Sequence, residues 1–343
     1  MRIADREIGP GTPCYVIAEG GVNHNGSVAL AHELVDVAAE AGADAIKFQR
    51  RTLSKLLTRA AGERPYGGPH SYGPTYLAHR AALELPDSAW FELARHATGK
   101  GIHLLGSAWD EDSVDFLLHQ VDVPALKLPS AAMTDIDLVL HAFRSSVVPV
   151  ILSTGMATAE EIAATWAQIT SLPLRADPIL LHCVSAYPAE YEDLNLVNGT
   201  GGWNLGYSGH ERGLATTIAA VALGACVVER HVTIDRSMRG PDHGASLEPK
   251  GLSTLIRDIR HVEAAMVRKP KVVLPAEEPA RRRLVRYAVA AHPLVAGHAL
   301  RPEDVMMRET GGGGVTGLEV AEMFGRTLTR SLVTEQPLRA GDA

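Results

Sequence analysis

Cysteine, aromatic side chains and surplus positive charge are all scarce in this chain. Cys14, Cys183 and Cys226 are the three thiols among 343 residues, so they cannot all pair within one chain. Each sits in an apolar run, which fits buried free thiols in a reducing, cytoplasmic compartment. Aromatic residues amount to 5%, too few for an extended base-stacking platform. Lys and Arg number 33 against 40 Asp and Glu, a net charge of −7 that gives no attraction toward nucleic acid or an anionic membrane. No apolar run approaches the ~20 residues of a membrane helix. The N-terminus lacks a basic-then-apolar signal pattern. The expectation is a soluble, cytoplasmic protein with neither a nucleic-acid nor a membrane partner.

What is present is an ordinary globular balance, 46% hydrophobic and 21% charged residues. Eight short apolar runs recur, over 14–20, 44–49, 102–108, 125–130, 149–155, 178–185, 204–209 and 226–232. Most are continuous rather than alternating, as in parallel strands covered on both faces. Amphipathic helical stretches lie between most of them, over 27–42, 87–101, 110–120, 157–169 and 212–225, with a last one near 249–268. Ser27 is placed to cap the first and Gly42 to end it. Eight strands alternating with helices predict a (β/α)₈ barrel of the TIM type. An open doubly wound sheet is the alternative, but no G-x-G-x-x-G follows the first run.

Two connections are irregular. Residues 50–82 are rich in Gly, Pro and Tyr and read as a lid over the barrel mouth, and 186–203 show no clear helix. The division expected is a barrel over 1–268, a Pro-containing linker over 269–283 and a small all-β module over 284–343. The arginines at 281–283 and 286 read as part of a solvated interdomain segment.

A barrel builds its active site at the C-terminal ends of its strands. The polar residues closing the runs are Glu19, Lys47, Gln49, Ser107, Lys127, Ser130, Ser153, Thr154, Ser185, Ser208, His210, Glu229 and His231. One lysine at a strand end is an ordinary solvated cap. Two lysines and several hydroxyls at one mouth suit a multiply charged phosphate or carboxylate. His210 and His231 end adjacent strands, and two neutral imidazoles suit a divalent metal with open positions. Either could instead be a satisfied mouth histidine. Asp242, in a Gly/Pro loop after the last strand, suits a hydroxylated substrate or an Asx-turn.

AEGGVNHNGS (18–27), ADAIKFQ (43–49), LKLPS (126–130), ILSTGMAT (151–158), LHCVSAYP (181–188), GYSGHERG (206–213), VERHVTID (228–235) and GPDHGASLEP (240–249) occur in collinear order. Together they resemble the sialic acid synthase (N-acetylneuraminate synthase) family, phosphoenolpyruvate-dependent synthases of nonulosonic acids. The C-terminal segment resembles that family's antifreeze-like (SAF) domain, a small β-clip. The resemblance implies a domain-swapped homodimer that condenses phosphoenolpyruvate with the open-chain aldehyde of an N-acylated hexosamine. It implies Mn²⁺, with Mg²⁺ or Co²⁺ as alternatives, on His210 and His231. It implies phosphoenolpyruvate contacts from Lys47, Ser107, Lys127, Ser130, Ser153, Ser185 and Ser208, where Ser107 and Ser185 stand at positions that usually carry Thr or Asn, Ser or Thr. Glu19 matches the first-strand acid, a candidate for proton transfer. Gln49, Tyr187, Asp242 and Arg308 match acceptor contacts, Arg308 being offered by the small domain to the partner's site.

This chain departs from the family pattern at four places. Ala132 stands where I-P-S-G-E has its acid, and Gly209 where Y-S-D-H has its aspartate. GSAW at 106–109 replaces S-T-P-F, and Glu309 replaces the proline of R-P-G. The expectation is that acceptor-side residues have changed, which leaves the acceptor open among N-acylated hexosamines and related sugars rather than fixed as N-acetylmannosamine. A non-standard aldehyde in a secondary-metabolite pathway and a catalytically silent sugar-binding relative are the alternatives.

Overall fold

The computed structural model describes residues 1–199 and 204–343. These form two compact units, Met1–Val267 and Arg268–Ala343.

Eight parallel strands close into a barrel: β1 (Tyr15–Gly21), β2 (Ala45–Arg50), β3 (His103–Ala108), β4 (Leu126–Leu128), β5 (Val150–Ser153), β6 (Pro178–Cys183), β7 (Asn204–Gly209) and β8 (Val227–His231). They follow one another around the barrel in chain order, and β8 closes on β1. Side chains alternate across each strand, so every second residue faces inward. Near the N-terminal end the inward residues are apolar, with Tyr15, Ile17, Ala45, Leu105, Ala125, Ile151, Ile179 and Val227 in one buried cluster. Ile3 and Ile8, from the hairpin Arg2–Ile3/Arg6–Glu7, join that cluster and seal the barrel floor. Two residues further along, the same inward positions turn polar and become Glu19, Lys47, Ser107, Lys127, Ser153 and Glu229.

The outward residues pack under the helices in a larger apolar layer. Helix α1 (Val28–Ala41) is capped by Ser27, whose Oγ accepts from the Leu30 amide, and ends on Gly42 at φ 83°, as its sequence predicts. The remaining large helices are α2 (Asp87–Gly99), α3 (Glu111–Phe116, continued by a π turn), α4 (Ile136–Ser145), α5 (Ala159–Thr170), α6 (Ala215–Ala222) and α7 (Pro249–Ala265). Helix α4 was not expected. Asp135 caps it, and Leu138, Val139, Ala142 and Phe143 bury one stripe.

The segment 50–82 is not an open loop. It holds three short helices, and Tyr72 Oη donates to the Arg239 carbonyl at 2.5 Å, tying it to the loop after β8. The segment 186–203, read as helix-free, carries a short helix Leu196–Gly199, and its last four residues lie outside the described residues.

In the second unit, β9 (Arg286–Ala290) pairs antiparallel with β10 (Val305–Glu309). Ala288, Leu294, Leu300, Val320, Leu328 and Leu338 are among its core residues. The unit is not all β. A helix at Gly317–Ala321 belongs to it, and another at Glu278–Leu284 occupies the end of the stretch read as linker, with Pro279 in its first turn.

Candidate active site

The polar end of the barrel holds a cavity of about 180 Å³. Eleven of the expected residues line it: Glu19, Lys47, Gln49, Ser107, Lys127, Ser130, Ser153, Ser185, Tyr187, His210 and His231. The strand ladder puts them there. Glu19 pairs with both Lys47 and His231, Gln49 with Ser107, and Ser107 with Lys127.

Lys47 is buried at the centre. Its Nζ lies 2.7 Å from Glu19 Oε2 and 3.4 Å from Glu229 Oε2, and donates to Ser107 Oγ at 2.6 Å. Burial alone would lower this lysine, but Glu19 and Glu229 hold its pKa above the ordinary value. Lys127 Nζ donates to Ser153 Oγ at 2.7 Å and to the Leu128 carbonyl at 3.0 Å. Its pKa is lowered, first by burial and also by Lys47. Glu229 sits between the two ammonium groups. Burial would raise its carboxyl, yet Lys127 and Lys47 outweigh that and hold it below the usual carboxylate range.

At the ends of β7 and β8 the rings of His210 and His231 stand 5.3 Å apart, centroid to centroid. His210 Nδ1 donates to the Val184 carbonyl at 2.8 Å, which leaves Nε2 as the free lone pair. Burial lowers His231 and keeps it neutral. Its buried Nδ1 makes no hydrogen bond among the described residues. The Tyr187 ring lies 4.1 Å from the His210 ring, centroid to centroid, tilted by 34°. Gln49 Nε2 donates to Glu19 Oε1 at 2.8 Å, and Arg51 donates to Gln49 Oε1.

Three expected residues are not in the cavity wall. Ser208 is buried beneath it and donates to Glu229 Oε1 at 3.1 Å. Asp242 sits at the rim, its Oδ2 3.7 Å from His231 Nδ1. Arg308 lies exposed on β10 of the second unit. Glu229 is a site residue that the motif match passed over. Its signal was positional, two residues before His231 on one strand and hence on the same face.

The backbone shapes one wall. A side chain at Gly155 would come within 2.2 Å of Ser185 Oγ and 2.8 Å of Ser130 Oγ. Only glycine lets this turn press against the two hydroxyls, and its amide donates to Ser130 Oγ at 3.1 Å.

The NeuB family model matches residues 34–271 and the SAF domain model residues 285–343. This chain belongs to the NeuB family.

Among NeuB relatives, the human N-acetylneuraminate-9-phosphate synthase is 39% identical, over 83% of this chain and 80% of that protein. The N,N'-diacetyllegionaminic acid synthase of Legionella pneumophila is 35% identical, over 94% of this chain and 93% of its own length. A solved N-acetylneuraminic acid synthetase from Leptospira borgpetersenii, crystallised with citrate, superposes with a TM-score of 0.69 at 28% identity, over 83% of this chain and 96% of that one.

Two of the departures from the NeuB pattern are corrected by the geometry. Ala132 does not open space in the cavity. It is 4% exposed and belongs to the apolar layer under the helices, whereas Ala131 lines the cavity. Gly209 does not face the acceptor either. A side chain there would meet Glu211, Tyr207 and Arg230, outside the barrel wall. Strand alternation explains this, because Ser208 points inward and residue 209 must point outward.

Proposed function

We propose that this chain condenses phosphoenolpyruvate with the open-chain aldehyde of an N-acylated hexosamine or related sugar, forming a nonulosonic 2-keto-3-deoxy acid and phosphate. Membership of the NeuB family supports the reading. The observation that carries it is one cavity lined by two buried, hydroxyl-paired lysines together with two neighbouring histidines.

Lys47 and Lys127, with Ser107, Ser130, Ser153 and Ser185, supply ammonium charge and short donors for a phosphate and a carboxylate. Carbon 3 of phosphoenolpyruvate attacks the aldehyde carbon and forms the C–C bond. A water oxygen adds at carbon 2, and the bond from carbon 2 to the phosphate oxygen breaks, releasing phosphate. Glu19 faces this space with Lys47 fixing one oxygen and Gln49 the other, so it is oriented to direct the water or take its proton. Gln49, Tyr187 and Asp242 face the sugar, and Arg308 serves the site of a partner in a domain-swapped homodimer.

The histidines fit a divalent metal. Val184 fixes the tautomer of His210, His231 Nδ1 is buried without a hydrogen bond, with Asp242 Oδ2 3.7 Å away, and among the described residues no group of three or more His, Cys, Asp or Glu is placed to hold a metal. A bound Mn²⁺ would supply Lewis-acid stabilisation for charge developing on the aldehyde oxygen. Three buried thiols fit a cytoplasmic setting. Among the described residues, no helix is long and apolar enough to cross a membrane. Neither Ala132 nor Gly209 touches the cavity, so neither supports a silent relative or an altered acceptor pocket.

The test is phosphate release from phosphoenolpyruvate by metal-stripped protein, with and without Mn²⁺, across a panel of sugar aldehydes. Metal- and acceptor-dependent release with a 2-keto-3-deoxy acid product is expected. Turnover of a sugar without phosphoenolpyruvate would sink the reading.

A further inference from the structure

The outer face of β7 and β8 carries a buried ion pair that the reaction does not use. Glu211 and Arg230 are 0% and 1% exposed and meet at 2.9 Å. The carboxylate also accepts from Tyr207 Oη at 2.7 Å, Thr216 Oγ1 at 2.7 Å and Thr217 Oγ1 at 3.0 Å. The guanidinium donates to the Glu211 carbonyl at 2.7 Å and the Gly213 carbonyl at 3.0 Å. Both carboxylate oxygens and both terminal guanidinium nitrogens are therefore engaged, the guanidinium by side chain and backbone of the segment after β7.

Its position in sequence gives it a purpose. Glu211 follows His210, and Arg230 precedes His231. The ladder between β7 and β8 ends at the pair Gly209 and Arg230. His210 thus lies one residue beyond the last rung, and backbone pairing between these strands no longer sets its distance from His231. The next link between the two segments is Glu211 to Arg230.

We infer that Glu211 and Arg230 are positioning residues, a clamp that fixes the 5.3 Å spacing of the His210 and His231 rings, and that Gly209 is glycine because the clamp requires it. A Cβ at 209 would lie 2.7 Å from Glu211 Oε2, 2.7 Å from Tyr207 Cε1 and 3.0 Å from Arg230 Cδ. The carboxylate cannot swing aside without abandoning four donors. Aspartate at 209 and glutamate at 211 would compete for one guanidinium, so the two positions are exclusive alternatives for one carboxylate. The metal consequence rests on reading the two histidines as the metal pair.

The experiment measures Mn²⁺ affinity by EPR titration of the full chain, with melting temperature alongside, in E211A, G209A, G209D and G209D/E211A. Displacing residues that orient metal ligands weakens binding about 10–100-fold. E211A and G209D are expected to weaken Mn²⁺ by about tenfold or more, and G209A by less. G209D/E211A is expected to recover to within about threefold of the parent. If E211A does not fold, G209A, which keeps every charge, and the double variant decide. Unchanged Mn²⁺ affinity in folded G209A and E211A overturns the clamp. So does a double variant no better than G209D. If the parent binds no Mn²⁺, the metal reading fails by itself. The clamp is then judged on the ring separation in crystals of parent and G209A: a changed spacing supports it, and an unchanged one rejects it.

Discussion

Lys47 Nζ lies 2.7 Å from Glu19 Oε2 in a pair that is 2% exposed on both sides, and Glu229 approaches the same ammonium at 3.4 Å. Removing the cation leaves the buried Glu19 carboxylate without its 2.7 Å partner, while Glu229 keeps the charge of Lys127 nearby. The K47A variant should therefore lose turnover and also about 3–5 kcal/mol of stability, the usual cost of breaking a buried pair. Denaturant unfolding with parallel phosphate-release assays checks both, and unchanged stability would contradict this account of the cavity wall.

Ser153 holds Lys127 at 2.7 Å, and Ser107 holds Lys47 at 2.6 Å. Each hydroxyl also faces the cavity. Hydrogen bonds to charged groups contribute about 1.5–3 kcal/mol, so S153A and S107A should each raise the KM for phosphoenolpyruvate about ten- to a hundredfold. Steady-state kinetics at saturating acceptor would reveal it. An effect on the acceptor KM alone would place the anion elsewhere.

His24 is fully buried, and burial with the nearby Arg51 charge pushes its pKa down to about 3. The unfolded chain gains this proton near the ordinary histidine value, whereas the folded chain does not. Stability from this group is complete above pH 6.5 and declines as pH falls toward 3. The stability difference between the parent and H24N should shift by about 1.4 kcal/mol per pH unit between pH 6 and 5, where few carboxylates titrate. Equal slopes for the two proteins would rule His24 out.

Ala132 is buried among apolar residues, away from the cavity. Restoring an acid there should fail to rescue or alter acceptor choice. A132E should cost about 3 kcal/mol or more, because it buries an unpaired charge. Calorimetry and an acceptor panel test this, and a stable variant with shifted acceptor preference would contradict it.

Much of the barrel was legible in the chain. Continuous runs such as Tyr15–Gly21 and Val227–His231 signal strands covered on both faces, and Ser27 and Gly42 frame the first helix. The site was legible where it follows strand ends, because closure of eight parallel strands carries every such end to one mouth. Helix α4 escaped because ten residues between two strands carry a short stripe with no strong stop signal.

The sequence by itself determined which residues alternate, and therefore that Lys47, Lys127 and His231 share the inward face of their strands. Only the tertiary structure decided what each outward position meets. Gly209 and Ala132 looked like losses from a substrate site, yet one lies against the Glu211–Arg230 pair and the other in the helix-covered core. The reason is physical. Strand periodicity assigns a side chain to a face, but its neighbours on that face come from segments distant in sequence, brought there by closure of the barrel and the packing of its helices.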